Sequence, residues 1–214
     1  MSGAGTVRER VLALLDAAGD GLAPIVRAGD PVLRVPAPRY DGQLRDDELT
    51  ALVALMRRTM HAAPGVGLAA PQVGLPLALA VVEDPGVDSA DVARERERTP
   101  LPFRVLVNPD YEPVDDERVG FYEGCLSVPG YVAVVARPRR VRLTGQDETG
   151  AGVDEVVTGW PARIVQHETD HLRGTLYLDR AEPRSLAASD GAAVRWAAEP
   201  HPRSAAEALG FPLP

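Results

Sequence analysis

Lysine is missing altogether: the 23 basic residues of this 214-residue chain are all arginine, a compositional bias with no mechanism attached to it. Cysteine occurs once, at Cys125, which excludes an internal disulfide and makes a reducing, cytoplasmic compartment the expectation. No apolar run approaches the length of a membrane span, so no membrane partner is expected. The opening stretch, MSGAGTVRERVLALLDAAG, lacks the apolar core and small-residue cleavage site of a secretory signal. Basic charge is also in deficit, and a net charge of -8 argues against direct nucleic-acid binding that relies on neutralising phosphates. What is present is a chain with 45% hydrophobic residues, long enough for one domain that buries roughly 70% of its unfolded surface.

Histidine is scarce too, four in all, and two of the four stand four apart in residues 160–174, WPARIVQHETDHLRG. The segment reads as a helix. Pro161 suits its first turn, Ala162, Val165, Glu168 and Leu172 share a stripe, and Gly174 is placed to end it in the left-handed conformation. On a helix, His167 and His171 aim two imidazoles at one point, which is the making of a metal site. Glu168 is rotated about a third of a turn away, near enough to reach a metal-bound water and badly aimed for a ligand, as a general base requires. Paired histidines at this spacing also occur on solvated faces with nothing bound, so a third ligand is needed.

Downstream the sequence follows the metzincin spacing HExxHxxGxxH as far as Gly174 but carries Tyr177 where the third His should stand. The zincin alternative needs a Glu about twenty residues on, where Arg195, Trp196, Ala197, Ala198 and Glu199 form a weakly patterned tail. The remaining candidate is upstream, in Glu123-Gly124-Cys125-Leu126-Ser127. One thiolate and two imidazoles leave a fourth tetrahedral position open, the composition of a catalytic site and not of a closed structural one. A lone cysteine is more often an inert buried residue, and a nucleophilic Cys-His hydrolase is the rival reading of this one.

The rest of the chain supplies a scaffold. Residues 6–18 read as a helix stopped by Gly19 and Gly21, and 25–38 as an irregular apolar segment with three prolines. A second helix starts at Asp46, Asp47 and Glu48, carries Leu49, Leu52, Val53, Leu55, Met56 and Met60 at helical spacing, and ends at Pro64-Gly65. The run from Gly65 to Ala70 formally fits G-x-G-x-x-A, but it follows a helix and meets Pro71 within a turn, which is wrong for a dinucleotide site. It reads as a tight apolar connection in which Gln72, an uncharged amide, needs partners, a substrate oxygen among them. Residues 83–102 are polar, a solvated loop or short charged helix. Strand patterns cover 77–82, 103–108, 119–123, 132–135, 139–144 and 152–157. The expectation is an α+β fold, mainly antiparallel sheets packed around a C-terminal helix that carries the HExxH motif.

Gly-Val-Gly-Leu-Ala-Ala-Pro-Gln at 65–72, Glu-Gly-Cys-Leu-Ser at 123–127 and Gln-His-Glu-Thr-Asp-His-Leu at 166–172 occur in that order, and together they resemble the three signature motifs of peptide deformylase. The resemblance covers residues 25 to about 180. It implies removal of the N-formyl group from N-formylmethionyl nascent polypeptides, releasing formate and a free N-terminal methionine. Carried over by position, it implies that Cys125, His167 and His171 bind the metal, Glu168 shuttles the proton, and Gln72 with the backbone N–H of Leu126 forms the oxyanion hole. The implied metal is one divalent ion, Fe(II) natively, with Zn, Ni or Co able to replace it. The nascent peptide is expected along an edge near Val66 and Gly67, where a missing side chain lets backbones approach, with the methionine in an apolar pocket beside Ile164, Val66, Gly124 and His167. Arg163 is expected to present its stem to that pocket, Glu123 to orient the site, and Gln166 either to do the same or to lie on the helix surface.

Two departures stand out. Val132 occupies a position where members often carry a polar or basic residue beside the peptide channel. Some members dock on the ribosome through a basic C-terminal helix, whereas the tail here carries Glu182, Glu199, Glu207 and five prolines, which does not support transient ribosome association. The expected organisation is a single catalytic domain over 1–180, with a helical N-terminal extension at 1–24, and a partly ordered Pro/Ala-rich extension at 181–214. The competing functions are a zincin-type metallopeptidase and a formyl-peptide-binding relative that has lost turnover, the latter disfavoured by the intact Glu168 and Gln72.

Overall fold

A computed structural model describes residues 5–196 and 199–214; the first four residues of the expected N-terminal extension, and Ala197 and Ala198 of the tail, lie outside the described residues. Helix α1 (Val7–Ala18) is closed at its start by a reciprocal cap in which Thr6 Oγ1 accepts from Glu9 N (3.2 Å) and Glu9 Oε2 accepts from Thr6 N (2.7 Å). Helix α2 (Asp46–Ala62) opens on three acidic residues that favour the positive end of its dipole. Its stripe of Leu49, Leu52, Leu55, Met56 and Met60 is buried in one cluster with Val11 of α1. Arg8 pairs with Glu48 at 2.8 Å and fastens the two helices together.

After α2 come β1 (Gly67–Ala69), β2 (Leu79–Asp84), the short helix α3 (Ala90–Glu95), β3 (Leu101–Pro113), β4 (Arg118–Cys125), β5 (Val128–Pro138), β6 (Arg140–Gln146), β7 (Gly152–Thr158) and helix α4 (Gly159–Leu172). The tail adds β8 (Ala187–Ala188), α5 (Ser189–Trp196) and α6 (Arg203–Leu209). All pairings are antiparallel: one sheet runs β1-β2-β3-β6-β7, the other β4-β5-β8. The stretch expected as a bare connection at 65–74 contains an edge strand, with Gly67 opposite Val82, and then a 3₁₀ turn over Ala70–Val73. The strand expected at 103–108 runs on to Pro113. At Asn108, with φ +50°, a bulge bends β3; it pairs with β2 up to Val107, which also faces Gln146 of β6, and with β6 alone from Asp110 onward.

Helix α4 touches strands of both sheets, and every residue from Pro161 to Leu172 except His167 is buried. A helix covered on all sides belongs to the core of the domain. Gly174 ends it at φ +74°, where a Cβ would stand 2.8 Å from the carbonyl carbon of Arg34. Glycine is therefore required both for the left-handed turn and for the close passage of the 31–35 segment.

The tail differs most from expectation. Rather than a partly ordered extension beginning at 181, it is docked on the β4-β5 sheet: β8 pairs with Tyr131 and Val132, and Ala205, Ala206 and Phe211 bury themselves against Val134. Phe211, Leu209 and Leu213 join these contacts, but the helical positions Ala205 and Ala206 are small and leave little helical pattern in the sequence.

Candidate metal centre

Cys125 ends β4, and Leu126 and Ser127 form the tight turn that returns the chain into β5 through the Cys125–Val128 pair. Across from this turn, α4 presents His167 and His171 from successive turns, with ring centroids 5.0 Å apart. The donor atoms of Cys125, His167 and His171 all lie within 4.8 Å of one another, and Cys125 Sγ is 3.2 Å from His171 Nε2. Strand end and helix are thus brought together across a separation of 42 positions between Cys125 and His167.

The rest of the His167 ring is spoken for. Its Nδ1 lies 3.0 Å from Glu123 Oε2, which turns Nε2 toward the sulfur, and Tyr177 stacks on the ring at 6.2 Å. Glu123 is itself gripped: Arg137 Nε donates to Oε1 (2.6 Å), Arg137 Nη2 donates to Oε2 (3.0 Å), and Arg163 Nη1 donates to Oε1. Burial would raise the Glu123 carboxyl, but the two guanidiniums overcome this and hold it well below the usual carboxylate range. Burial would likewise depress His167; its hydrogen bonds to Cys125 and Glu123 reverse the direction and hold the imidazole well above its ordinary value. His171 goes the other way, pushed well below by burial and by the neighbouring His167. It is therefore neutral and ready to act as a ligand. A cation entering the three donors takes the place of the His167 proton, so binding releases acid.

These residues fit a metal. The set is one sulfur and two ring nitrogens, borderline-soft donors that suit a first-row divalent ion and leave a coordination position open. Among the described residues they form the one such cluster, and His171 Nδ1 and Glu168 Oε2 are buried without a hydrogen-bond partner. Glu199, the zincin-type alternative, is instead engaged with Ser204 N at 3.0 Å.

Glu168 is 4% exposed, and burial pushes its carboxyl up to about 7, against the opposing pull of His167 and Arg137. Its position explains a glycine. A Cβ on Gly67 would lie 2.2 Å from Glu168 Oε1, so the space left by the missing side chain is filled by the carboxylate. The expectation that this space serves the approach of a peptide backbone is corrected to that extent. Gln72 is 1% exposed, accepts from Ala69 N (2.9 Å), and points its Nε2 at Ser127 Oγ (3.3 Å) and Cys125 Sγ (3.5 Å). Its amide is thereby aimed at the metal donors.

Val66, Gly67, Gly124 and Ile164 line a single cleft of about 390 Å³, together with Gln72, Cys125, Leu126, His167 and Glu168. His171 lies behind this wall, 1% exposed. Arg163 lines the cleft, but its head is turned into the protein, donating to Glu123, to Val119 O (2.6 Å) and to Val135 O (3.0 Å). Gln166 is fully buried with Nε2 donating to Pro138 O (2.9 Å), which rules out the helix-surface alternative.

Residues that the sequence reading missed lie one layer further out. Asp170 is buried and accepts from Arg137 (2.8 Å), Arg180 (2.9 Å) and Tyr111 Oη (2.9 Å), locking the helix to β3, β5 and the following loop. A signal for Arg137 was available: it continues the inward alternation of Ala133 and Val135 along β5, an arginine at a core position, which demands buried acids.

Comparison with known proteins agrees with this geometry. The family model for polypeptide deformylase matches residues 22–187. The chain is similar to peptide deformylase 3 of Streptomyces avermitilis, 62% identical over 206 residues, covering 96% of this chain and 91% of that one. It is also similar to peptide deformylase 1 of Streptomyces coelicolor, 61% identical over 206 residues, 96% of this chain and 93% of that one. Among solved structures, the Met-Ala-Ser-bound class I type b peptide deformylase of Acinetobacter baumannii superposes with a TM-score of 0.66 at 34% identity, covering 74% of this chain and 98% of that one. A cysteine and two histidines converging beside a buried glutamate, in a chain matched over this length, mean that the protein belongs to the peptide deformylase family, whose reaction is the deformylation of nascent peptides.

Proposed function

We propose that this chain hydrolyses the formamide of N-formylmethionyl peptides, a linear amide, with one divalent ion held by Cys125, His167 and His171. The observation that carries the reading is the convergence of those three donors within 4.8 Å beside the unpartnered Glu168 Oε2. A divalent ion so held supplies Lewis acidity, making water a nucleophile near neutral pH and polarising a carbonyl. Fe(II) is the native ion we assign, with Zn, Ni or Co as substitutes, and the compartment is the cytoplasm.

The chain's own residues do the rest. Glu168 takes the proton of the attacking water and returns it to the departing amine nitrogen; a carboxyl titrating near 7 suits both halves of that exchange. Negative charge developing on the formyl oxygen is met by Gln72 Nε2 and the Leu126 N–H, where one such donor contributes about 3 kcal/mol to barrier lowering. Glu123, kept ionised by Arg137 and Arg163, fixes the ring of His167. Ile164, Val66 and Gly124 give the methionine side chain its apolar wall, and Gly67 leaves room for the carboxylate that does the proton transfer. The helix carrying His-Glu-x-x-His is on this reading the catalytic element of the domain.

The test is formate release from formyl-Met-Ala-Ser by protein purified anaerobically, with metal content determined on the same sample. Activity that is lost in Glu168→Ala while the metal stays supports the roles given. A fully metal-loaded preparation that is inert towards formylated peptides overturns them.

A further inference from the structure

The family match ends at residue 187, yet the chain beyond it reaches the cleft. Ser189, the first residue of α5, lines the same cavity as Cys125 and Glu168, beside Tyr131 and Val132 of β5. It is held there by β8, whose Ala187 and Ala188 pair with Val132 and Tyr131. Further along, the tail is pinned at several points. Arg96 Nε donates to Pro200 O (2.9 Å), the His201 ring meets Phe121 edge-on at 5.2 Å, and Ala205, Ala206 and Phe211 are buried on Val134. The tail therefore has a fixed position beside the cleft.

Ser189 and Tyr131 are exposed while also lining the cavity, and Tyr131 is 53% exposed. That combination puts them at the mouth, whereas the buried Glu168 and Gln72 mark the floor. A peptide whose formyl group reaches the floor must leave past the mouth. The side chains there are a tyrosine ring, Val132, Pro129 and a serine hydroxyl, with Asp190 next in the chain. Both guanidiniums on the cleft wall are already engaged: Arg98 is paired with the buried Asp84 at 2.8 Å, and Arg163 donates inward to Glu123.

We propose that β8 and the first turn of α5, and not the exposed remainder of the tail, are part of the substrate-binding apparatus. With Tyr131 and Val132, β8 and the first turn of α5 form an apolar mouth that takes the side chain two residues after the formylated methionine and disfavours an acidic one. This rests on the deformylase reading of the cleft and adds to it the specificity of the downstream end. Transfer of an apolar side chain onto such a mouth, against the cost of bringing a carboxylate near Asp190 and away from water, selects through KM.

The experiment measures kcat and KM for N-formylmethionine, formyl-Met-Ala-Leu and formyl-Met-Ala-Asp. It uses the wild type, Ser189→Trp and Tyr131→Ala, all exposed positions where a substitution leaves the core intact, and Val194→Ala, at an 88% exposed site on α5 that does not line the cleft, as control. The wild type is expected to favour the leucine peptide by about tenfold in kcat/KM, equivalent to about 1.4 kcal/mol. Ser189→Trp and Tyr131→Ala are expected to shift KM for the two tripeptides relative to N-formylmethionine, with Val194→Ala matching the wild type. Equal turnover of the leucine and aspartate peptides, or variants that change all three substrates alike or none, overturn the proposal while leaving the deformylase reading in place. A wild type that releases formate from no substrate overturns both.

Discussion

Gly67→Ala isolates the placement of Glu168 from the metal donors. The new Cβ would stand 2.2 Å from Glu168 Oε1, 2.5 Å from Cδ and 2.7 Å from Cγ, all inside contact distance. The Gly67 backbone is ordinary strand, so the substitution adds no backbone strain and the whole burden falls on the carboxylate. Relief requires Oε1 to move by about 1 Å, since carbon and oxygen settle a little over 3 Å apart. A displacement of that size typically costs on the order of 100-fold in rate, equivalent to about 2.7 kcal/mol of barrier. Overpacking a closed site by one methyl costs about 1–3 kcal/mol of stability. The expected outcome is therefore a roughly 100-fold fall in kcat for formate release, a modestly lower melting temperature, and metal content unchanged because Cys125, His167 and His171 are untouched. The contact itself is tested by repeating Gly67→Ala on a Glu168→Ala background, where the stability loss should vanish; a double-mutant cycle reads the coupling directly. Wild-type kcat in Gly67→Ala, or a stability loss that persists without Glu168, refutes the placement of the carboxylate against the β1 edge.

Burial raises the Glu168 carboxyl from near 4.5 to about 7, so the folded, metal-stripped protein holds this proton more tightly than the unfolded chain. Its contribution is full below about pH 4.5 and lost as pH rises through 7, so Glu168→Gln should stabilise chelator-treated protein by about 2.5 kcal/mol more at pH 8 than at pH 5. Equal effects at both pH values in urea melts contradict this. Arg137→Leu removes a guanidinium shared by the buried Glu123 and Asp170, leaving Glu123 to Arg163 and Asp170 to Arg180 and Tyr111, and is expected to cost about 3–5 kcal/mol by denaturant titration, with loss of metal affinity as Glu123 holds His167 less firmly. Gln72→Leu is expected to lower kcat by about 100- to 1,000-fold with the metal retained, and unchanged kcat rules out the amide as an oxyanion donor. Chelation at neutral pH should lower the melting temperature, and readdition of Fe(II), Ni, Co or Zn should restore it, each to a degree set by its affinity.

The parts of this protein written in local sequence are those that depend on one periodicity or one turn. The two histidines four apart lie on one helix face because an α-helix puts them there, and the stripe of α2 is buried because it is apolar at that spacing. Gly174 ends α4 in the left-handed region for the same local reason. The single cysteine could be put forward as a third donor by eliminating other residues and by the resemblance of its surrounding motif, and local periodicity gave no hint of it. It is the antiparallel β4-β5 hairpin, packed on α4, that carries its sulfur to His171. Arg137, Asp170 and Tyr111 were invisible as a unit because they sit on three separate elements, and their pairing exists only once the sheets close on the helix. The tail makes the same point from the opposite side: alanines give no amphipathic signal of their own, and Ala205 and Ala206 are buried because Val134 lies opposite them. Local sequence thus determined which groups are chemically able to bind a metal and move a proton. Tertiary structure decided the partners of those groups, because burial and charge pairing depend on neighbours distant along the chain.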